Sequence, residues 1–250
     1  MASINKQIVK GDFYGIGVGP GDPELLTVKA RRVLSQVDIV FAPKAAIAAN
    51  SFAYEIVKEC VSESKIETIT FPMTKNKTEL KSFWKDAAEQ VYQKICEGKN
   101  VAFITIGDPF IYSTYNYLLR HLIILDNTIN VYTIPGISVV NAIASLFNVP
   151  LAEGEDKFIV TPLPSHLAEL KKLIEQFETV VLLKIGKNLK PLLEFLKKND
   201  YEKNAYFARH IGCSSQIVIE NISELIDSKN EAGYMSTMII RRNERGGSLS

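Results

Sequence analysis

Gly15-Ile-Gly-Val-Gly-Pro-Gly-Asp-Pro-Glu24-Leu-Leu-Thr27 is a glycine-dense run that joins two hydrophobic segments of different period. Phe13 to Val18 before it has the length and composition of a short strand, whereas the apolar residues from Glu24 to Val37 recur at helical spacing. The run is therefore the loop of a strand-loop-helix unit, where glycine permits positive φ and close backbone approach. Its exit is locally specified, because Asp22 suits a helix N-cap, Pro23 the first helical position and Glu24 the positive end of the helix. The spacing is not that of a dinucleotide fingerprint: Asp22 stands where the third glycine of GxGxxG would follow Gly17 and Gly19, and no GxxxxGK[ST] occurs. A tight turn without a ligand is the plain alternative for this segment taken alone.

Outward from this loop, short runs rich in Val, Ile and Phe alternate with longer helix-period segments, the pattern of an α/β fold. The pattern predicts strands over 39–42, 66–71, 101–106 and 131–134. Helices are predicted over 52–61, 79–97 and 115–124, the long one placing Phe83, Ala87, Val91 and Ile95 on one face and ending at Gly98. Further strands are expected over 157–161, 180–183, 205–208, 216–220 and 235–240, spaced closely enough for antiparallel pairing. A turn at Pro135-Gly136 separates the two styles. The expected organisation is two α/β domains, residues 1–134 and 135–250, with a ligand cleft between them.

At 250 residues the chain is long enough for two modest cores, and 46% hydrophobic with 23% charged residues is ordinary globular composition. The net charge of +1 provides no global field for nucleic acid or a membrane surface. Cys60, Cys96 and Cys213 form no CxxC pair, and His121, His166 and His210 no HxxxH, so no protein-bound metal is expected and the thiols fit a reduced cytoplasm. Met1 to Lys10 lacks an apolar core of a signal peptide, and no run approaches the roughly 18 apolar residues of a span.

Two further strand-to-helix turns carry chemistry. Gly107-Asp-Pro-Phe-Ile-Tyr112-Ser-Thr114 follows a predicted strand at the carboxyl end of a sheet, where open α/β folds bind ligands. Asp108 suits either a cap for the next turn or an acceptor for a ligand's hydroxyls or amine. In Pro135-Gly-Ile-Ser138-Val-Val-Asn141, Ser138 suits equally an N-cap and a ligand contact.

In this order the three motifs, GxGxGPGDPELLT, GDPFIYSTY and PGIS, resemble the tetrapyrrole methylase family over nearly the whole chain. The resemblance implies two α/β domains binding S-adenosylmethionine between them. Phe71-Pro-Met-Thr74 and Gly107 to Tyr115 are most similar to the enzymes that methylate C20 of precorrin-2 or cobalt-factor II on the route to vitamin B12. By position, the implied cofactor contacts fall on Pro20, Ile106, Gly107, Asp108, Ile111, Ser138 and Val139, and in the second half on Ile185, Ile211 and Thr237. Ile106 stands where many relatives carry a first glycine before the aspartate. Similar enzymes are usually homodimers.

The implied reaction needs no covalent nucleophile, because a methyl sulfonium is already activated and alignment is the main catalytic requirement. Tyr112 and Asp108 are the candidates for assisting loss of a proton. Lys29, Arg31, Arg32, Lys75 and Lys77 are candidates for the substrate's carboxylates, with ordinary solvated surface as the alternative. The competing readings are another tetrapyrrole methylase, acting on uroporphyrinogen III or a later precorrin, and a non-catalytic dinucleotide-binding regulator. The failed GxGxxG spacing counts against the regulator.

Overall fold

The computed structural model describes residues 9–45, 51–72, 74, 76–226 and 234–242; Met73 and Lys75, singled out above, lie outside them. The chain divides into two compact units, Met1–Ser138 and Val139–Ser250. The division falls after Ser138 rather than at Pro135. The reason is local: the Gly136 N–H donates to the Asp108 carboxylate at 3.1 Å, which ties the Pro135-Gly136 turn to the first unit.

The first unit alternates β1 (Phe13–Gly17), α1 (Val28–Gln36), β2 (Ile39–Ala45), α2 (Phe52–Val57), β3 (Ile66–Phe71), α3 (Lys77–Cys96), β4 (Val101–Thr105), α4 (Tyr115–Leu125) and β5 (Val131–Ile134). Its sheet has the order β3-β2-β4-β1-β5, with every pairing parallel. A parallel sheet is covered on both faces at its centre, so β4 is buried throughout, whereas the edge strands β3 and β5 keep exposed residues such as Thr68, Thr70 and Tyr132. Val40, Ala42, Ala102 and Ile104 meet α1 and α2 on one face. Ile39, Phe41, Val101 and Phe103 meet α3 and α4 on the other. The buried stripe of α3 runs through Trp84, Ala87, Ala88, Val91 and Ile95, with the expected Phe83 packed at its margin against Phe71 and Trp84.

The expected helix over 24–37 is interrupted. Asp22 accepts from Glu24 N at 2.8 Å and caps only a short 3-10 turn, Pro23–Leu25. Leu26 and Thr27 are extended, and Thr27 Oγ1 then accepts from Ala30 N at 3.1 Å to start α1. Two short polar side chains each offer a cap, and the backbone uses both. The helix expected to reach Val61 ends at Val57.

The second unit comprises α5 (Val139–Phe147), β6 (Phe158–Pro162), α6 (Leu167–Gln176), β7 (Thr179–Leu183), α7 (Leu189–Lys198), β8 (Ala205–Arg209), β9 (Ile217–Ile219), α8 (Ser223–Ile226) and β10 (Ser236–Arg241). Its sheet runs β6-β7-β10-β8-β9, parallel only between β6 and β7. Alternate residues of β7, β8 and β10 face α6 and α7 on one side and α5 on the other. The helices α6 and α7 were not singled out in the sequence, although Leu170, Ile174, Leu192, Leu193 and Leu196 recur at helical spacing and are buried. Among the described residues no helix is long and apolar enough to cross a membrane.

Candidate functional site

In the first unit the chain leaves β1 toward the β3 edge and leaves β4 toward the β5 edge. These strands are neighbours, and the helices that follow them, α1 and α4, pack on opposite faces. Their loops must diverge. Such a reversal, at the carboxyl ends of the strands, is the usual ligand position in an open α/β sheet. The two loops are the glycine-dense run and the Gly107–Thr114 segment.

Backbone contacts hold them together. Gly107 N donates to Gly19 O at 2.7 Å, and Val18 N to Thr105 O at 2.9 Å. Gly19 and Gly107 both have positive φ, 84° and 68°, which glycine adopts without steric cost. The Pro135-Gly136 turn joins them: a Cβ on Gly136 would lie 2.2 Å from Gly107 O, and one on Gly17 2.6 Å from Gly136 N. No side chain larger than hydrogen fits at either position.

Asp108, a candidate ligand acceptor or base, has one carboxylate oxygen on Phe110 N at 2.9 Å and the other on Gly136 N at 3.1 Å. It thus shapes its own loop and secures the next one. The far side of the loop is closed by Thr105 Oγ1 and Ser113 Oγ, 2.8 Å apart and buried, and Ser113 Oγ accepts from Tyr115 N at 3.1 Å. Tyr115 is fully buried, its ring under Gly15 and its hydroxyl 2.7 Å from Thr133 Oγ1; burial pushes the phenol above its ordinary pKa. Thr105, Ser113 and Tyr115 were missed as supports of the site. Ser113 and Tyr115 lie within the quoted motif, but Thr105 carries no local signal.

Among the other expected residues of this unit, Pro20, Gly107 and Ser138 are buried, and Ile106 is half-buried against the core beneath the sheet. Phe110, Ile111 and Tyr112 are exposed at the loop tip. Val139 begins α5 and belongs to the second unit. Lys29, Arg31 and Arg32 are exposed on α1, where the two arginines line an open depression of about 390 Å³ with Val28, Ser35, Glu59 and Cys60. Lys77 is exposed at the start of α3.

In the second unit, antiparallel pairing brings the carboxyl ends of β7 and β8 to the start of β10, with Ser236 opposite Arg209 and Met238 opposite Leu182. Ile185 and Ile211, just past those ends, and Thr237 thus gather at one end of the central strands, all buried. The same end concentrates left-handed backbone at Lys184, Gly186, His210, Gly212 and Met235. Strained residues of this kind cluster where structure is specialised for binding. His210 N donates to Met235 O at 3.1 Å, and its Nδ1 lies 2.8 Å from Ser215 Oγ. Burial, then the neighbouring Arg209, pushes the His210 imidazole below its ordinary pKa. Among the described residues no group of three or more His, Cys, Asp or Glu is arranged to hold a metal ion.

Comparison with known proteins supplies the family. The model of the tetrapyrrole (corrin/porphyrin) methylases matches residues 12–226. A protein of Methanocaldococcus jannaschii named probable cobalt-precorrin-2 C(20)-methyltransferase is 37% identical over 97% of this chain and 100% of its own length. The precorrin-2 C(20)-methyltransferase of a Sinorhizobium species is 31% identical over 92% of this chain and 95% of its own. Among solved structures, a cobalt precorrin-4 methyltransferase superposes with a TM-score of 0.66 at 18% identity, over 92% of this chain and 94% of that one. The uroporphyrin-III C-methyltransferase of Thermus thermophilus, solved with S-adenosylhomocysteine, gives 0.61 at 19% identity, over 92% and 97%. The fold, the glycine-joined loops and the match over most of the length agree: this chain belongs to the tetrapyrrole (corrin/porphyrin) methylases.

Proposed function

We propose that this protein transfers a methyl group from S-adenosylmethionine to C20 of precorrin-2 or cobalt-factor II in vitamin B12 biosynthesis. The observation that carries this reading is the near-full-length likeness, at 37% identity, to a relative named for that C20 reaction. The glycine-lined loops at the carboxyl ends of β1, β4 and β5 fit such a cosubstrate. Glycine at 17 and 136 lets the three loops pack backbone against backbone, which gathers them at one place.

We assign the cosubstrate contacts of the first unit to Pro20, Ile106, Gly107, Asp108, Ile111 and Ser138, and those of the second to Val139, Ile185, Ile211 and Thr237. The cosubstrate supplies a methyl group already activated on a sulfonium sulfur. The chain's own contribution is alignment, which is worth on the order of 7–11 kcal/mol when reacting groups are held in line. Asp108 contributes by holding the Gly136 turn and its own loop, since both carboxylate oxygens accept backbone N–H groups. Any cobalt enters within the substrate ring. On the spacing of its cysteines we assign the protein to the cytoplasm, and on the family resemblance we assign it as a homodimer, a stoichiometry that size-exclusion chromatography with light scattering tests.

The test of the reaction is mass spectrometry and NMR of the product after anaerobic incubation with S-adenosylmethionine and, separately, precorrin-2, cobalt-factor II or uroporphyrinogen III. One methyl group added at C20 to either of the first two is expected. Methylation of uroporphyrinogen III alone, or at another ring position, overturns the assignment.

A further inference from the structure

We infer that Tyr112 is a specificity-determining residue: its ring, with that of Phe110, forms an apolar face for the flat macrocycle of the methyl acceptor. The inference rests on the methylase reading above. Phe110, Ile111 and Tyr112 are consecutive and keep 58%, 41% and 47% of their surface exposed. A single exposed apolar residue is ordinary, but three in succession in a loop at the carboxyl end of the sheet are what a binding surface for an apolar ligand requires.

The exposure is not that of a slack loop. The segment is secured at its start by the Asp108 carboxylate on Phe110 N and at its end by the buried Thr105 and Ser113 hydroxyls. Phe110 meets the buried Tyr115 edge-on, with ring centroids 5.7 Å apart and planes at 67°. Tyr112 is held at φ 51°, a left-handed conformation that a bulky side chain rarely adopts. Strain of that kind persists only where the surroundings impose it, and here the surroundings are the anchors of the loop.

A conjugated macrocycle rimmed with carboxylates offers broad apolar faces, and aromatic side chains cover such faces with large area and specific stacking geometry. The cosubstrate is assigned to the glycine-rich base of the same loop and to Ile111, between the two aromatic residues. Changes at position 112 therefore separate the two ligands.

The experiment compares wild type, Tyr112→Asn and Tyr112→Phe in KM for the tetrapyrrole that the wild type methylates, in S-adenosylhomocysteine affinity by calorimetry, and in Tm. Asparagine tolerates left-handed backbone but lacks the ring. Its variant is expected to raise the acceptor KM about tenfold or more while S-adenosylhomocysteine affinity stays within about twofold. Its Tm should hold steady or rise by about 2–4 °C as strain is relieved. The phenylalanine variant keeps the ring and should retain the wild-type acceptor KM. An unchanged acceptor KM in the asparagine variant overturns the inference. So does a phenylalanine variant as impaired as the asparagine one, because the hydroxyl would then carry the effect, or a loss of Tm in step with activity. A wild type that binds S-adenosylhomocysteine but methylates no tetrapyrrole instead refutes the methylase reading, and the inference with it.

Discussion

Gly17 and Gly136 meet each other and the Gly107 carbonyl so closely that neither has room for a side chain, while Gly107 itself is required by its positive φ of 68°. A Cβ on Gly136 would stand 2.2 Å from Gly107 O and 2.8 Å from the Gly17 carbonyl carbon, both rigid backbone atoms. Gly136→Ala is expected to lower stability by about 1–3 kcal/mol, seen as a fall in Tm, and to weaken S-adenosylhomocysteine binding measured by calorimetry. Asp108 makes a different demand, because its two oxygens accept from Phe110 N and Gly136 N. In Asp108→Asn one of those positions becomes an NH2 facing an N–H. Leaving one backbone donor unpaired costs about 1–3 kcal/mol, so thermal stability and cosubstrate affinity should fall together. An unchanged Tm with lost turnover would instead make the carboxylate a proton acceptor. The glycines and the aspartate stand out in the sequence; their partners do not, because Gly136 and Asp108 are far apart along the chain.

At the scale of elements, periodicity placed most strands of both units to within a residue or two, since a strand buried on both faces, as β4 and β7 are, is a short continuous apolar run. It was weaker at helix starts: Asp22 and Thr27 are both competent caps, and only the extended conformation of Leu26 and Thr27 shows that the second begins α1. Ion pairs between elements were not legible at all. Asp126, just after α4, accepts from Tyr92 of α3 at 3.1 Å and pairs with Lys10, which precedes β1. The ammonium of Lys10, then the Thr128 hydroxyl and backbone N–H, hold the Asp126 carboxyl well below its ordinary value of 3.8. A carboxyl whose folded pKa is depressed stabilises the fold above the unfolded value and loses that contribution as the pH falls toward the folded one. Wild type should therefore exceed Asp126→Asn in Tm at pH 7. The difference should shrink progressively below about pH 4 in acid unfolding curves.

For the molecule as a whole, the reading of the site predicts a selective ligand response. S-adenosylhomocysteine at about 100 times its Kd should raise Tm by roughly 5–10 °C, whereas NAD at the same concentration should leave it unchanged. A response to NAD alone would restore the dinucleotide-binding alternative that the position of Asp22 argues against. By itself the sequence determined the local conformations and the order of the three loop motifs. Turn geometry, caps and apolar period are properties of neighbouring residues, and they survive in a linear string. Tertiary structure alone decided that β4 inserts between β2 and β1, that the chain therefore reverses direction beside the glycine-dense loop, and that Asp108 fastens Gly136 across that reversal. Those outcomes follow from burying both faces of a parallel sheet and satisfying backbone groups across long sequence separations, which leaves no period or spacing to read.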